Sequence, residues 1–176
     1  FALAFEAIHN FIWHELADNY LEMIKYRLYN ENNKTRDAAI STLYTCLLNS
    51  LKLLAPIIPY ITEEIYQNMF RKFEKEISIH RISWPESEKS FSNKEAHELG
   101  EIAKAIISSI RQFKSKQGLP LSSEIKELTI ETSKDIENKL KRISDDIKGT
   151  SKALKISFGK AEIPIEGYKI KISIKN

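Results

Sequence analysis

Two kinds of residue grouping in this sequence could do chemistry. The first is His14-Glu15-Leu16-Ala17-Asp18, close to the His-Glu-x-x-His spacing of zinc proteases. There, two imidazoles one helical turn apart hold the metal and the Glu activates a bound water. Here Asp18 stands at the second ligand position, the histidines (His9, His14, His80, His97) are scattered, and no third ligand lies at a useful spacing. The stretch reads as a polar helix face. Cys46 sits mid-helix, where a lone thiol packs as a small apolar group, and no Ser or Cys lies in a nucleophile elbow. The five glycines are isolated, without a phosphate-cradling loop or dinucleotide fingerprint. Nothing here is placed to make or break a bond.

The second kind suits a partner surface. Tyr20, Lys25, Tyr26, Arg27 and Tyr29 interleave aromatic and basic groups, and Arg111, Lys114 and Lys116 form a second basic cluster. Flat rings stack on unstacked bases while Lys and Arg meet phosphate, which is how single-stranded RNA loops are held. The same residues also read as ordinary helix ends, with cations facing the negative pole of the dipole and tyrosines covering apolar surface. From the residues alone both readings stand.

These side chains need helices to position them. Over residues 1–29 the apolar positions Phe1, Phe5, Ile8, Ile12, Leu16, Tyr20 and Met23 recur every three or four residues. A second stripe (Trp13, Ala17, Leu21, Ile24, Leu28) lies beside it, so the spacing predicts a helix buried on a wide face, with Trp13 in the core. Asn-Glu-Asn-Asn at 30–33 is a turn. A second helix spans 35–54, with Thr35 as N-cap and Ile40, Leu43, Leu47, Leu51 and Leu54 on one face. Pro56 and Pro59 end it and open a third near 59–72, with Ile61, Ile65 and Met69 inward. Residues 78–86 are extended up to Trp84-Pro85, before a Ser/Glu loop. A fourth helix runs 93–117 with Leu99, Ile102, Ile106, Ile110 and Phe113 inward, Gly118 as C-cap and Pro120 preventing continuation.

Beyond 120 the period changes. Ile125, Glu127 and Ile130 lie in a short strand, and 134–148 reads as a helix through Ile136, Leu140, Ile143 and Ile147. Leu154, Ile156 and Phe158 alternate with polar neighbours, as do Ile170, Ile172 and Ile174 with Lys169, Lys171 and Lys175. The Lys face of that last strand also reads as edge protection. The expected fold is mainly α: an antiparallel four-helix bundle over residues 1–120, then a small α+β appendage over 121–176.

Composition bounds the rest. A chain of 176 residues, 42% hydrophobic and 29% charged, can bury a core. A single cysteine excludes a disulfide framework and suits a reducing cytoplasm. No apolar run is long enough to span a membrane, and residues 1–25 carry acids where a signal peptide would not. Opening at Phe1 inside an amphipathic pattern, the chain reads as a piece of a longer protein. Its net charge of +3 is unevenly placed: residues 1–90 hold 10 basic and 12 acidic groups, residues 91–176 hold 17 and 12. A modest basic skew is compatible with a polyanionic partner.

The order of segments resembles the C-terminal part of class I aminoacyl-tRNA synthetases, and within them the valyl-tRNA synthetases. The run Phe11-Ile-Trp13-His-Glu15-Leu-Ala-Asp18-Asn-Tyr20-Leu-Glu22-Met-Ile-Lys25-Tyr-Arg27 is similar to the family's aromatic–acidic helix. Leu51-Lys-Leu-Leu-Ala-Pro56-Ile-Ile-Pro59-Tyr60-Ile-Thr62-Glu63-Glu64-Ile-Tyr66 is similar to its Pro-x-x-Pro-x-x-Thr-Glu-Glu segment. Ala55, Tyr60 and Tyr66 stand where the family has His, Phe and Trp. Ser78-Ile79 followed by Trp84-Pro85, and Ile110-Arg111 with Lys114, Gly118 and Pro120, complete four matches in order.

The resemblance implies an anticodon-binding bundle whose parent joins valine to tRNA. Its partners would be tRNA and the parent's catalytic domain, with no membrane. It implies no catalytic, metal or cofactor site in this chain, because the nucleotide-binding signatures of the parent, which uses ATP and Mg, are absent. RNA contacts would fall on Tyr20, Lys25, Tyr26, Arg27, Tyr29, Arg111, Lys114 and Lys116, while Trp13, Tyr66 and Trp84 would be structural. The isoleucyl or leucyl counterpart, and a helical protein-interaction module outside the family, are the alternatives.

Overall fold

The computed structural model describes residues 2–87 and 92–175; the Ser/Glu loop expected after Pro85 lies largely outside them. The chain is mainly helical with a small mixed sheet, and it divides into two compact units. One comprises Phe1–Glu22 with Arg27–Lys89, the other Met23–Tyr26 with Ser90–Asn176. The units part near residue 90, whereas the sequence reading drew its boundary after residue 120.

In the first unit the long amphipathic run is helical without a break. It begins as α1 (Ala2–Asn10), takes π-helical winding over Phe11–Leu21, and continues as α2 (Glu22–Tyr29), of which Met23–Tyr26 group with the second unit. The expectation of a broadly buried face does not hold. Among its described apolar side chains only Leu16 and Ile24 are fully buried, while Trp13 is 60% exposed. Periodicity identifies an apolar stripe; whether a partner element covers it is a tertiary matter.

Helix α3 (Arg36–Leu54) and α4 (Pro59–Ile65), which continues with π winding through Tyr66–Phe70, build the first unit's core. That core joins Leu48, Ala55, Tyr66, Phe70 and Ile79. Thr35 does not cap α3 through its side chain; its hydroxyl donates to Asn33 Oδ1 at 2.7 Å. The inner face of α4 is Thr62, Tyr66 and Phe70, one position round from the expected Ile61, Ile65 and Met69, and Ile61 and Met69 are exposed. Two of the inward residues bring polar tips with local partners: Thr62 Oγ1 donates to the Ile58 carbonyl at 3.0 Å, and the Tyr66 hydroxyl to that of Glu76. A buried hydroxyl with a partner is tolerated, so their aromatic and methyl bulk packs inward. The structural role expected for Tyr66 agrees with its full burial; that expected for Trp84 does not, since Trp84 is 58% exposed.

Two of the sequence motifs meet at one carboxylate. Glu63, from Thr-Glu-Glu, accepts hydrogen bonds from Ser78 Oγ (2.9 Å), Ile79 N (3.0 Å) and Gln67 Nε2 (2.6 Å). It thereby holds the first turn of the short 3-10 helix Ile79–Arg81. Desolvation pushes this carboxyl up, but the hydrogen bonds from Gln67, Ser78 and Ile79, with His80 nearby, outweigh it and hold it below the ordinary carboxylate range.

The second unit contains α5 (Lys94–Lys116), β1 (Ile125–Glu131), α6 (Lys134–Lys141), α7 (Ser144–Ser151), β2 (Ala153–Phe158), β3 (Ile163–Pro164) and β4 (Lys171–Lys175). Asn93 caps α5 by accepting from Ala96 N at 2.9 Å, and Gly118 turns the chain past its end at φ +68°. The sheet runs β2-β1-β4-β3, with β1 and β2 parallel across the α6–α7 crossover and β4 antiparallel to β1 and β3. Alternation sorts most positions as expected, but Leu154, expected to face inward with Ile156 and Phe158, is exposed. Leu128, Ile130 and Ile172 are buried and join Leu99, Ala103, Ile106 and Ile110 of α5 in one core, with Ile156, Phe158 and Ile174 against it. The helix expected as the fourth of a bundle is therefore grouped with the sheet.

Candidate nucleic-acid interface

The aromatic–basic cluster lies on the last turns of the first helical run. In the first unit, Tyr20 and Arg27 are half-buried, while Tyr29, the last residue of α2, is 82% exposed. The helix end is fixed by a residue that the sequence reading passed over: Arg36 Nε donates to the Leu28 carbonyl at 3.1 Å, meeting one of the orphan acceptors of a helix C-terminus. The Asn30–Asn33 turn is closed by its own side chains, with Asn30 Oδ1 accepting from Asn32 N at 3.1 Å. Tyr29 thus projects from a braced end, and an exposed phenol ring is free to stack.

In the second unit, Lys25 and Tyr26 are half-buried. Tyr26 is a packing residue: a Cβ placed on Gly149 of α7 would lie 2.7 Å from its ring carbons Cγ and Cδ1. A side chain that close to a helix backbone offers one ring face to it and cannot offer that face to a base. On α5, Arg111 is half-buried and Lys116 exposed.

Lys114 requires a correction. It is 1% exposed, and its ammonium donates to the carbonyls of Leu121 (3.0 Å), Ser123 (2.6 Å) and Ser151 (2.8 Å). Burial, with Lys152 nearby, pushes its pKa below the usual lysine value. All three donors of the ammonium are engaged, so Lys114 ties the chain after α5 to the end of α7 and is not a phosphate contact.

Trp13 is the side chain whose setting the sequence reading missed. It is stacked on His9 (centroids 6.0 Å apart, planes within 5°), which in turn lies 6.0 Å from Phe5. The i, i+4, i+8 spacing of these rings was a visible signal; their exposure was not. Beside them His14 Nδ1 pairs with Asp18 Oδ2 at 3.3 Å on an exposed face. Among the described residues no group of three or more His, Cys, Asp or Glu side chains is placed to hold a metal ion. Burial pushes the Cys46 thiol up, away from thiolate reactivity.

With this geometry in place, comparison with known proteins bears on the two readings of the cluster. The family model of the anticodon-binding domain of tRNA ligase matches residues 1–132. The chain belongs to this family. The anticodon-binding match runs through all four helices of the sequence reading and into β1. Over 172 residues the chain is 40% identical to a valine–tRNA ligase of Thermococcus kodakarensis, covering 98% of this chain and 19% of that protein. It is 42% identical over 166 residues to the valine–tRNA ligase of Pyrococcus horikoshii, and 40% identical over 166 residues to that of Methanothermobacter thermautotrophicus. These alignments cover 94% and 93% of this chain and 18% of each relative. The chain thus spans about a fifth of the length of these relatives. No described helix of this anticodon-binding family member is long and apolar enough to cross a membrane.

Proposed function

We propose that this chain binds tRNA by its anticodon loop, serving a cytoplasmic valine–tRNA ligase of which it is the C-terminal portion. The family match over residues 1–132 carries this reading. In the first unit the contacts are Tyr20, Arg27 and Tyr29, with Trp13 as a further stacking surface; in the second they are Lys25, Arg111 and Lys116. Tyr29 and Trp13 present rings for unstacked bases, and the cations meet phosphate. The chain brings binding and no catalysis: ATP with Mg would be used by a catalytic domain elsewhere in the parent, which forms the bond between valine and tRNA. Loop binding on a separate region lets such an enzyme choose its tRNA far from the reacting ester.

Filter binding of a valine tRNA anticodon stem-loop, measured at several salt concentrations, tests this. Affinity should fall as salt rises, because phosphate contacts release counterions, and should fall further when the loop sequence is changed. Tyr29→Ala should weaken binding about fivefold or more without moving the melting temperature, because its ring is exposed and a stacked base contributes about 1–3 kcal/mol. Indifference to loop sequence would refute the reading. Competition by isoleucine or leucine tRNA stronger than by valine tRNA would reassign the parent.

A further inference from the structure

The second unit holds a cleft of about 300 Å³ that none of the contacts above uses, lined by Glu131, Thr132, Pro164, Tyr168, Lys169 and Lys171 among others. It lies where the end of β1 meets the β3–β4 hairpin. The hairpin is tight: Ile165 N donates to the Ile170 carbonyl (2.9 Å), Tyr168 N donates to that of Ile165 (3.2 Å), and Gly167 takes φ +79°. Tyr168 and Lys169 are therefore carried on a short, braced turn, with Lys171 following on β4.

Three features of this cleft point to the same ligand chemistry. The Thr132 hydroxyl is buried without a hydrogen-bond partner among the described residues, and a buried hydroxyl left unsatisfied is costly enough to be rare. The charge balance favours an anion. Glu131 is already engaged, Oε2 accepting from Ala161 N at 2.7 Å. Its Oε1 forms a long ion pair with Lys171 Nζ at 3.8 Å, beyond hydrogen-bond distance, so one carboxylate stands against the two lysines that line the cleft. Lys169 forms no ion pair among the described residues. The third feature is Tyr168, which is 36% exposed beside these groups. A hydroxyl lacking a partner, two ammonium groups and a flat ring match phosphate, sugar oxygen and base in turn.

We propose that this cleft binds one nucleotide of an RNA strand, as a contact separate from the anticodon-loop residues. Lys169 and Lys171 meet its phosphate, Thr132 donates to a phosphate or ribose oxygen, and Tyr168 stacks on its base. The proposal rests on the RNA-binding reading above and gives the α+β unit a share in holding the strand.

The test is titration of the isotope-labelled chain with a short single-stranded RNA, followed by amide NMR shifts. The expected shifts fall on Thr132 and on Tyr168–Lys171. Tyr168→Ala should lower affinity for this RNA about fivefold or more, while Tyr168→Phe retains it. Thr132→Val separates a ligand role from a packing role. It removes the orphan hydroxyl, so it should raise the melting temperature of the unliganded chain while weakening RNA binding. Shifts confined to first-unit residues, or Thr132→Val and Tyr168→Ala proteins that bind RNA as the parent chain does, overturn the cleft and leave the anticodon reading standing. Equal shifts from inorganic phosphate, with Tyr168→Ala harmless, mark an anion site and overturn the nucleotide assignment. Absence of any RNA binding overturns both.

Discussion

A side chain's type fixes what it can do, and its surroundings fix what it does. Tyr44 and Lys114 illustrate this with opposite signs at alkaline pH. Burial first, and then its 2.6 Å hydrogen bond to Glu74 Oε1, raise the Tyr44 pKa from 10.0 to about 12. Once the pH passes 10 the unfolded chain loses this proton while the folded one keeps it. Stability is thus lost as pH rises from 10 towards 12. Lys114 is pushed below 10.5, so the unfolded chain binds the extra proton, and stability rises as pH approaches 10.5. The two effects oppose one another, and the difference between proteins isolates one of them. Urea unfolding at about pH 9 and about pH 11 should show a smaller alkaline loss for Tyr44→Phe than for the parent chain. Equal losses would mean that Tyr44 titrates normally. Neither environment was legible in the sequence. The partners of Lys114 come from the turn after Gly118 and from the end of α7, 37 residues along the chain. A Lys in the last turn of a helix reads as a surface cation until that return path is known.

Elements were more legible than the faces they bury. The helices, the strand alternation and Gly118 as a turning point follow from spacing, because period and backbone geometry are local properties. Which stripe becomes core is not local: Ile61 and Met69 have the apolar character, yet Thr62, Tyr66 and Phe70 have the neighbours. Two glycines expose the same distinction in a testable form. Both lie inside helices, Gly100 in α5 and Gly149 in α7, where replacement by Ala gains roughly 0.5–1 kcal/mol of backbone propensity. Nothing lies within 4 Å of a Cβ on Gly100, so Gly100→Ala should stabilise by about that amount. A Cβ on Gly149 would meet Tyr26 at 2.7 Å at the ring and 3.0 Å at its own Cβ. That clash is close to the backbone, where rotation of the ring cannot relieve it. Overpacking of this kind costs about 1–3 kcal/mol, which exceeds the propensity gain, so Gly149→Ala should destabilise. Thermal melts of the two proteins should move in opposite directions, and a matching rise in both would show that the Tyr26 side chain yields.

Over the whole molecule, the charge asymmetry visible in the sequence falls at the structural division: the acidic balance lies in residues 1–90 and the basic one in 91–176. The two divisions differ because α5 is amphipathic in either setting, and only the sheet shows where its apolar face goes. On the sheet's polar face, Glu127 pairs in register with Lys155 on one side and Lys175 on the other, and Lys155 Nζ lies 3.0 Å from its carboxylate. Exposed pairs of this type contribute little to stability, so their larger effect is on the field around the protein. Glu127→Gln releases Lys155 from its ion pair and raises the net charge by one above +3. If RNA is drawn in by this field, association of a tRNA transcript at low salt should quicken, measured by stopped-flow fluorescence, with little change in melting temperature. Because screening acts within about 8 Å at physiological ionic strength and more tightly above it, the gain should vanish at high salt. A gain that survives high salt would mean that residue 127 itself touches the RNA. No gain at low salt would mean that the basic balance of this unit has no part in capturing RNA.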